Sequence, residues 1–140
     1  MDIKRYKPAI DKYFWLILIL TMILLLGGTL LSLLEPIALI IMVCVDLFVS
    51  YFMVSSLVGY VELREESLFI KFGFIIKKEI PYNTIKEVFK ERKVYSYSTL
   101  SLKNAIEHIN IKYNKFDMVT VSVVENDDFV LELNKRIIAQ

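Results

Sequence analysis

Between Tyr13 and Tyr60 the chain carries no lysine or arginine, and its only acidic residues there are Glu35 and Asp46. All 17 basic residues lie in 1–12 or 61–140. Charge segregated this sharply divides a chain into a lipid-embedded part and a water-exposed part. The same division accounts for a mean hydropathy of +0.51 with 56% hydrophobic residues, high for a water-soluble protein.

Tyr13 to Leu34 is uncharged over 22 residues, against about 20 needed for a helix to cross the hydrocarbon core. A signal peptide would have an apolar region of only about 7–15 residues ending in small residues. Leu33-Leu34-Glu35-Pro36 is a poor cleavage site, so the run reads as a retained span with Tyr13 and Trp15 at its interface. Glu35-Pro36 then turns the chain. A residue before proline is pushed out of helical geometry, and proline suits the first turn of the next helix. Ile37 to Tyr60 forms the second span, with Asp46 near its middle.

Asp46 costs about 2.5–3.5 kcal/mol at a helix centre. The Leu, Ile, Val and Phe residues between 37 and 58 together return on the order of 4–8 kcal/mol, so the span still inserts. Gly28 with Ser32, and Ser55 with Gly59, are small pairs at helical spacing that would let two helices approach closely. The flank 1–12 carries Lys4, Arg5, Lys7 and Lys12 against Asp2 and Asp11. Basic flanks stay in the cytoplasm, and two spans return the chain to that side. The expected organisation is a cytoplasmic flank 1–12, a transmembrane hairpin 13–60 (spans 13–34 and 37–60) and a cytoplasmic domain 61–140. The expected location is the bacterial cytoplasmic membrane, with both termini cytoplasmic and the bilayer as a partner.

The net charge of +1 gives no strongly basic surface, so nucleic acid is not an expected partner. The single cysteine, Cys44, cannot form an internal disulfide and reads as a buried structural thiol.

From residue 61 the hydrophobic period becomes two. Val61 and Leu63, then Leu68, Ile70 and Phe72, alternate with polar residues around the turn Glu65-Glu66-Ser67. Gly73 marks the next turn. Phe74 to Ile80 is a strand ended by Pro81-Tyr82-Asn83. Ile85, Glu87 and Phe89 share a face, as do Ile109, Ile111 and Tyr113. Asn114-Lys115 turns into Val119 and Val121. Ser122 and Glu125 have capping-box spacing, and Phe129, Val130, Leu133 and Ile137 recur on one helical face. Six or seven short strands and one C-terminal helix give a small curved sheet or open barrel plugged by that helix.

The chain resembles the short, membrane-anchored bacterial pleckstrin-homology-like domain proteins with two spans ahead of the domain. The resemblance rests on Ile80-Pro81-Tyr82-Asn83-Thr84-Ile85-Lys86-Glu87-Val88 and on the spacing of Ser98, Ser101-Leu102, Ile109, Ile111, Tyr113, Val119, Val121-Ser122 and Phe129. It covers about residues 60–138. It implies a membrane-anchored α+β chain whose domain is a β-sandwich or open barrel capped by a C-terminal helix. It also implies a non-enzymatic module without cofactors that binds a protein, peptide or lipid at the membrane surface. A few small relatives look like immunity proteins against peptide bacteriocins, which is the alternative. The family's phosphoinositide binders have a basic first hairpin loop, whereas here it is Arg64-Glu65-Glu66-Ser67.

Four features compete for function. Asp46 reads as a packing hydrogen bond to Ser50 or Thr29, or as a contact in a homo-oligomer built through the hairpin, against a role in ion or proton movement. Lys71, Lys77, Lys78, Lys90, Arg92 and Lys93 are contacts for anionic head groups or a solvated face. Tyr95 and Tyr97, in the polar connection ending at Thr99, form a recognition loop or a core-packed segment. His108 lacks companions for a metal or catalytic site and reads as a surface or strand-edge residue.

Overall fold

The computed structural model describes residues 2–98 and 100–140, so Met1 and Thr99 lie outside the described residues. A short strand β1 (Lys4–Tyr6) precedes two long helices, α1 (Lys12–Leu31) and α2 (Pro36–Val58). The strands β2 (Tyr60–Leu63), β3 (Ser67–Phe72), β4 (Ile76–Pro81), β5 (Ile85–Arg92), β6 (Leu100–Leu102), β7 (Glu107–Tyr113) and β8 (Asp117–Val121) follow, and α3 (Asn126–Ile138) closes the chain.

At 1.5 Å per residue, α1 and α2 are about 30 and 34 Å long, enough to span a bilayer. Asp11 caps α1, its carboxylate accepting from the Tyr13 N–H. After a single 3-10 turn at Ser32–Leu34, Glu35 has extended backbone and Pro36 opens α2, as the Glu35-Pro36 break predicts. Neither helix has a buried residue, so their apolar surface is left uncovered by protein, as in helices long and apolar enough to cross a membrane. Cys44 is exposed on that surface and is not the buried thiol expected, because a two-helix hairpin has no interior deep enough to enclose it.

The strands form two four-stranded sheets, β1-β2-β3-β4 and β5-β7-β8-β6, packed as a sandwich and not as a closed barrel. Their inner faces meet through Val61, Leu63, Leu68, Ile70, Ile80, Ile109, Ile111, Val119 and Val121, all wholly or almost wholly buried. These are the alternating positions of the sequence, since a half-buried strand turns every second side chain inward. The C-terminal helix plugs the sandwich with Phe129 and Leu133, both fully buried.

Three features depart from expectation. Segment 4–11 is more than a flank. β1 pairs with β2, then Ala9 N–H donates to the Ser122 carbonyl and Asp11 N–H to that of Asn104, so the segment laces the two sheets together. Tyr6 meets the Phe129 ring edge-on at 5.1 Å. Its hydroxyl donates to Asp128, and burial above all pushes its pKa up to about 12.

Second, Ser122 does not cap α3. It is buried at the end of β8, and its hydroxyl donates to the Glu107 carbonyl at 2.6 Å. The helix starts at Asn126, whose side chain accepts from the Val123 N–H. The spacing to Glu125 mimicked a capping box, but Ser122 is held in the sandwich by its hydroxyl on the Glu107 carbonyl and its N–H on the Leu102 carbonyl.

Third, Gly28 faces α2, and a Cβ there would lie 2.6 Å from the Met42 methyl. Ser32 only bonds back to the Gly28 carbonyl. Ser55 and Gly59 face the domain and not α1: a Cβ on Gly59 would collide with Leu102.

Candidate functional site

Sheet order fixes the most unusual part of the domain. β5 and β6 lie at opposite edges of their sheet. The connection between them, running from residue 93 onward, therefore crosses its outer face as a strap over β7 and β8. Beneath it, outward-pointing polar residues are closed off from water: His108 and Thr120 are fully buried and Asn110 nearly so. This overturns the surface reading of His108, which is fully buried. Its Nδ1 faces the Ile106 carbonyl at 2.9 Å, and its Nε2 lies 3.5 Å from Glu91.

A polar chain runs from there to the strap. Asn110 donates to Glu91 at 2.9 Å, Thr120 to Asn110 at 2.7 Å, and Ser96 of the strap to Thr120 at 2.8 Å. Ser98 adds a bond from its hydroxyl to the Met118 carbonyl at 2.7 Å. Lys93 ion-pairs with Glu91 and, first among the causes, holds that carboxyl below its ordinary range. Lys103 donates to the Lys93 and Tyr95 carbonyls. With its backbone fixed this way, the strap presents Val94, Tyr95 and Tyr97 outward, 79%, 57% and 66% exposed. The two tyrosine rings meet edge-on at 5.3 Å, with the Lys93 ammonium over both. A cavity of about 90 Å³ lined by Val94, Ile106, Tyr13, Phe14 and Ile17 places the strap beside the first turns of α1.

The basic residues fall into two groups. Lys71 and Lys77 are directly opposed across β3 and β4. Among the described residues neither has an ion-pair partner, although like charges placed opposite each other repel; Lys71 lies 5.8 Å from the Tyr60 ring. Lys78 lies over the Tyr113 ring. Arg92 and Lys93 are at the far end of β5, on the α1 side. Lys90 bridges Glu107 and Asp127 and is not available as a free cation. Arg64 of the first hairpin loop is likewise occupied, by Glu62, Glu79 and the Phe69 ring.

Inside the hairpin, Asp46 accepts a hydrogen bond from the Thr29 hydroxyl at 2.5 Å, and its second oxygen is buried without a partner among the described residues. Ser50 bonds instead toward Met22.

Sequence reasoning missed Asn104. Its amide donates to the Ser56 carbonyl at the end of α2, while its own carbonyl accepts the N–H of Asp11, the cap of α1. One buried residue thus ties the domain to both helices, through its side chain to α2 and through its backbone carbonyl to the cap of α1. An asparagine between short strands carries no periodic signal that would reveal it.

A family model described as Bacterial PH domain matches residues 59–137. No curated protein and no solved structure matches the chain.

Proposed function

The chain belongs to the bacterial PH domain family, and from that premise we propose that it is a non-enzymatic, membrane-anchored module of the cytoplasmic membrane that holds a protein or peptide partner at the inner surface. The basic flank supports a cytoplasmic placement of both termini, and the pairing of β1 with β2 keeps the two ends of the hairpin together.

The observation that carries the reading is the strap. Tyrosines offer large contact area at little conformational cost, since only two torsions are frozen on binding. Here the backbone beneath them is already ordered by Ser96, Ser98 and Lys103. An exposed aromatic pair on a rigid support, next to a cation, has the composition of a binding hot spot. Its position beside α1 suits a partner lying along the membrane.

The test is a photo-crosslinking amino acid placed at Tyr97 or at Phe116 in the full-length protein in its native membrane. Phe116 is also exposed, at 88%, but lies in the β7–β8 turn and not in the strap. A discrete protein or peptide adduct at 97, absent at 116 and lost with Tyr95→Ser, is expected. A membrane-active peptide in that adduct would identify the module as an immunity protein. Lipid adducts alone, or the same adducts at both positions, would overturn the reading.

A further inference from the structure

In the other sheet, the β3–β4 turn has an unusual composition for a hairpin tip. Gly73-Phe74-Ile75 runs into Ile76, and these three apolar side chains are 44%, 75% and 50% exposed. The turn does not project into open solvent. Gly73, at φ +83°, packs against Ser55 so tightly that a Cβ would lie 1.8 Å from its hydroxyl oxygen. The Phe74 N–H donates to the same hydroxyl at 3.3 Å. The Phe74 ring lies 5.7 Å from that of Tyr51.

Tyr51 precedes the end of α2 by seven residues, about 10 Å along the axis. The tip therefore runs back alongside the last two turns of the span and does not stop at its end. A helix of this length exceeds the roughly 30 Å hydrocarbon core by only a few ångströms, so these last turns lie at the boundary between acyl chains and head groups. Just above the apolar tip, on the domain side, are Lys71 and Lys77, mutually repelling and without carboxylate partners among the described residues. Apolar residues below and cations above are the order in which an interfacial element meets an anionic leaflet.

We propose that the β3–β4 turn is a wedge inserted into the bilayer, with Phe74, Ile75 and Ile76 among the upper acyl chains and Lys71 and Lys77 at the phosphates. The wedge and α2 then grip the membrane at two points, which fixes the tilt of the domain and the face it turns to the cytoplasm. This assignment is independent of the strap: the wedge stands if the strap binds nothing.

Trp15 is the only tryptophan, so a Trp15→Phe chain is a silent background. Full-length Ile75→Trp and Phe116→Trp variants would be reconstituted into phosphatidylcholine–phosphatidylglycerol vesicles, with and without bromine on the upper acyl carbons. For Ile75→Trp, blue-shifted emission, loss of most intensity in brominated vesicles and protection from aqueous iodide are expected. Phe116→Trp should behave oppositely on all three counts. Water-like emission at position 75 would overturn the proposal. Protection from iodide without bromine quenching would overturn it too, because a protein surface would then cover the tip. Should the tryptophan variant not accumulate, Ile75→Cys in a Cys44→Ser chain, carrying a polarity-sensitive dye, gives the same readout.

Discussion

In the hairpin, Leu24, Leu31, Leu34 and Ile37 are between 68% and 93% exposed, while in the sandwich Leu63, Leu68, Ile70 and Ile109 are wholly enclosed. The residue types are the same, but the solvent differs. Lipid tails are as apolar as leucine, so the hairpin needs no interlocking interior and its helices meet through a few points such as Gly28 against Met42 and Thr29 on Asp46. The sandwich stands in water and has to exclude it, which requires complementary shapes from both sheets and α3. The hairpin should therefore tolerate apolar exchange, and the sandwich should not.

The largest effect that would break this contrast is expected at Phe129. Phe129→Ala empties a fully enclosed site against Tyr6 and should cost about 3–5 kcal/mol. Pulse proteolysis of the full chain across a urea series, which cuts the unfolded sandwich and spares the hairpin, measures it. A near-neutral outcome would mean that the sandwich is as forgiving as the hairpin.

At the joint, Asn104→Ala leaves the Ser56 carbonyl without its donor. A loss of about 1–3 kcal/mol is expected, with faster hydrogen exchange at the end of α2. Exchange should rise at Asp11 as well, because the Asn104 backbone that accepts the Asp11 N–H is then no longer anchored to α2. Exchange that rises at one helix only would mean that the clamp does not couple them.

Within the hairpin the expectation is smaller. Intramembrane hydrogen bonds average about 0.6 kcal/mol, so Asp46→Asn should leave membrane abundance, crosslinked oligomer content and any deletion phenotype intact. Asp46→Leu should loosen helix pairing while the sandwich stays folded. A fully abundant and correctly assembled Asp46→Asn protein that is inactive would convert Asp46 from a packing residue to a functional one.

The mildest perturbation is acid. Lys93 lowers the folded-state pKa of Glu91 below its ordinary value near 4.5. The folded strap then binds a proton less readily than the unfolded chain. Its contribution is complete above the ordinary value and is lost as pH falls through the depressed one. Hydrogen exchange at residues 94–98 should accelerate in that window while the amides of β2 and β3 stay protected. Simultaneous loss in both would show that the strap is not a separate unit.

Local chemistry and periodicity determined a good deal of this. The spans follow from charge exclusion, and their break follows from the restriction proline places on Glu35. The strands follow from alternation because each has one dry face. The exception is β5, where a bulge between Ile85 and Glu87 breaks the face read for Ile85, Glu87 and Phe89 and sets Val88 against the core instead. Phe129 and Leu133 follow from helical spacing because α3 also has only one dry face. What lay beyond the sequence depends on chain segments far apart. His108 and Thr120 are buried on a face that alternation marks as outer, Thr120 under Ser96 of the β5–β6 crossover. β1 converts a basic flank into a sheet edge. Arg136 is 3% exposed and donates to the carbonyls of Leu63, Arg64 and Asp2, although an arginine is seldom fully buried. Ser55 and Gly59 have the spacing of a helix seam, yet their neighbours are Gly73 and Leu102. Periodicity reports which side of an element is dry, whereas only the folded chain decides which distant element makes it so.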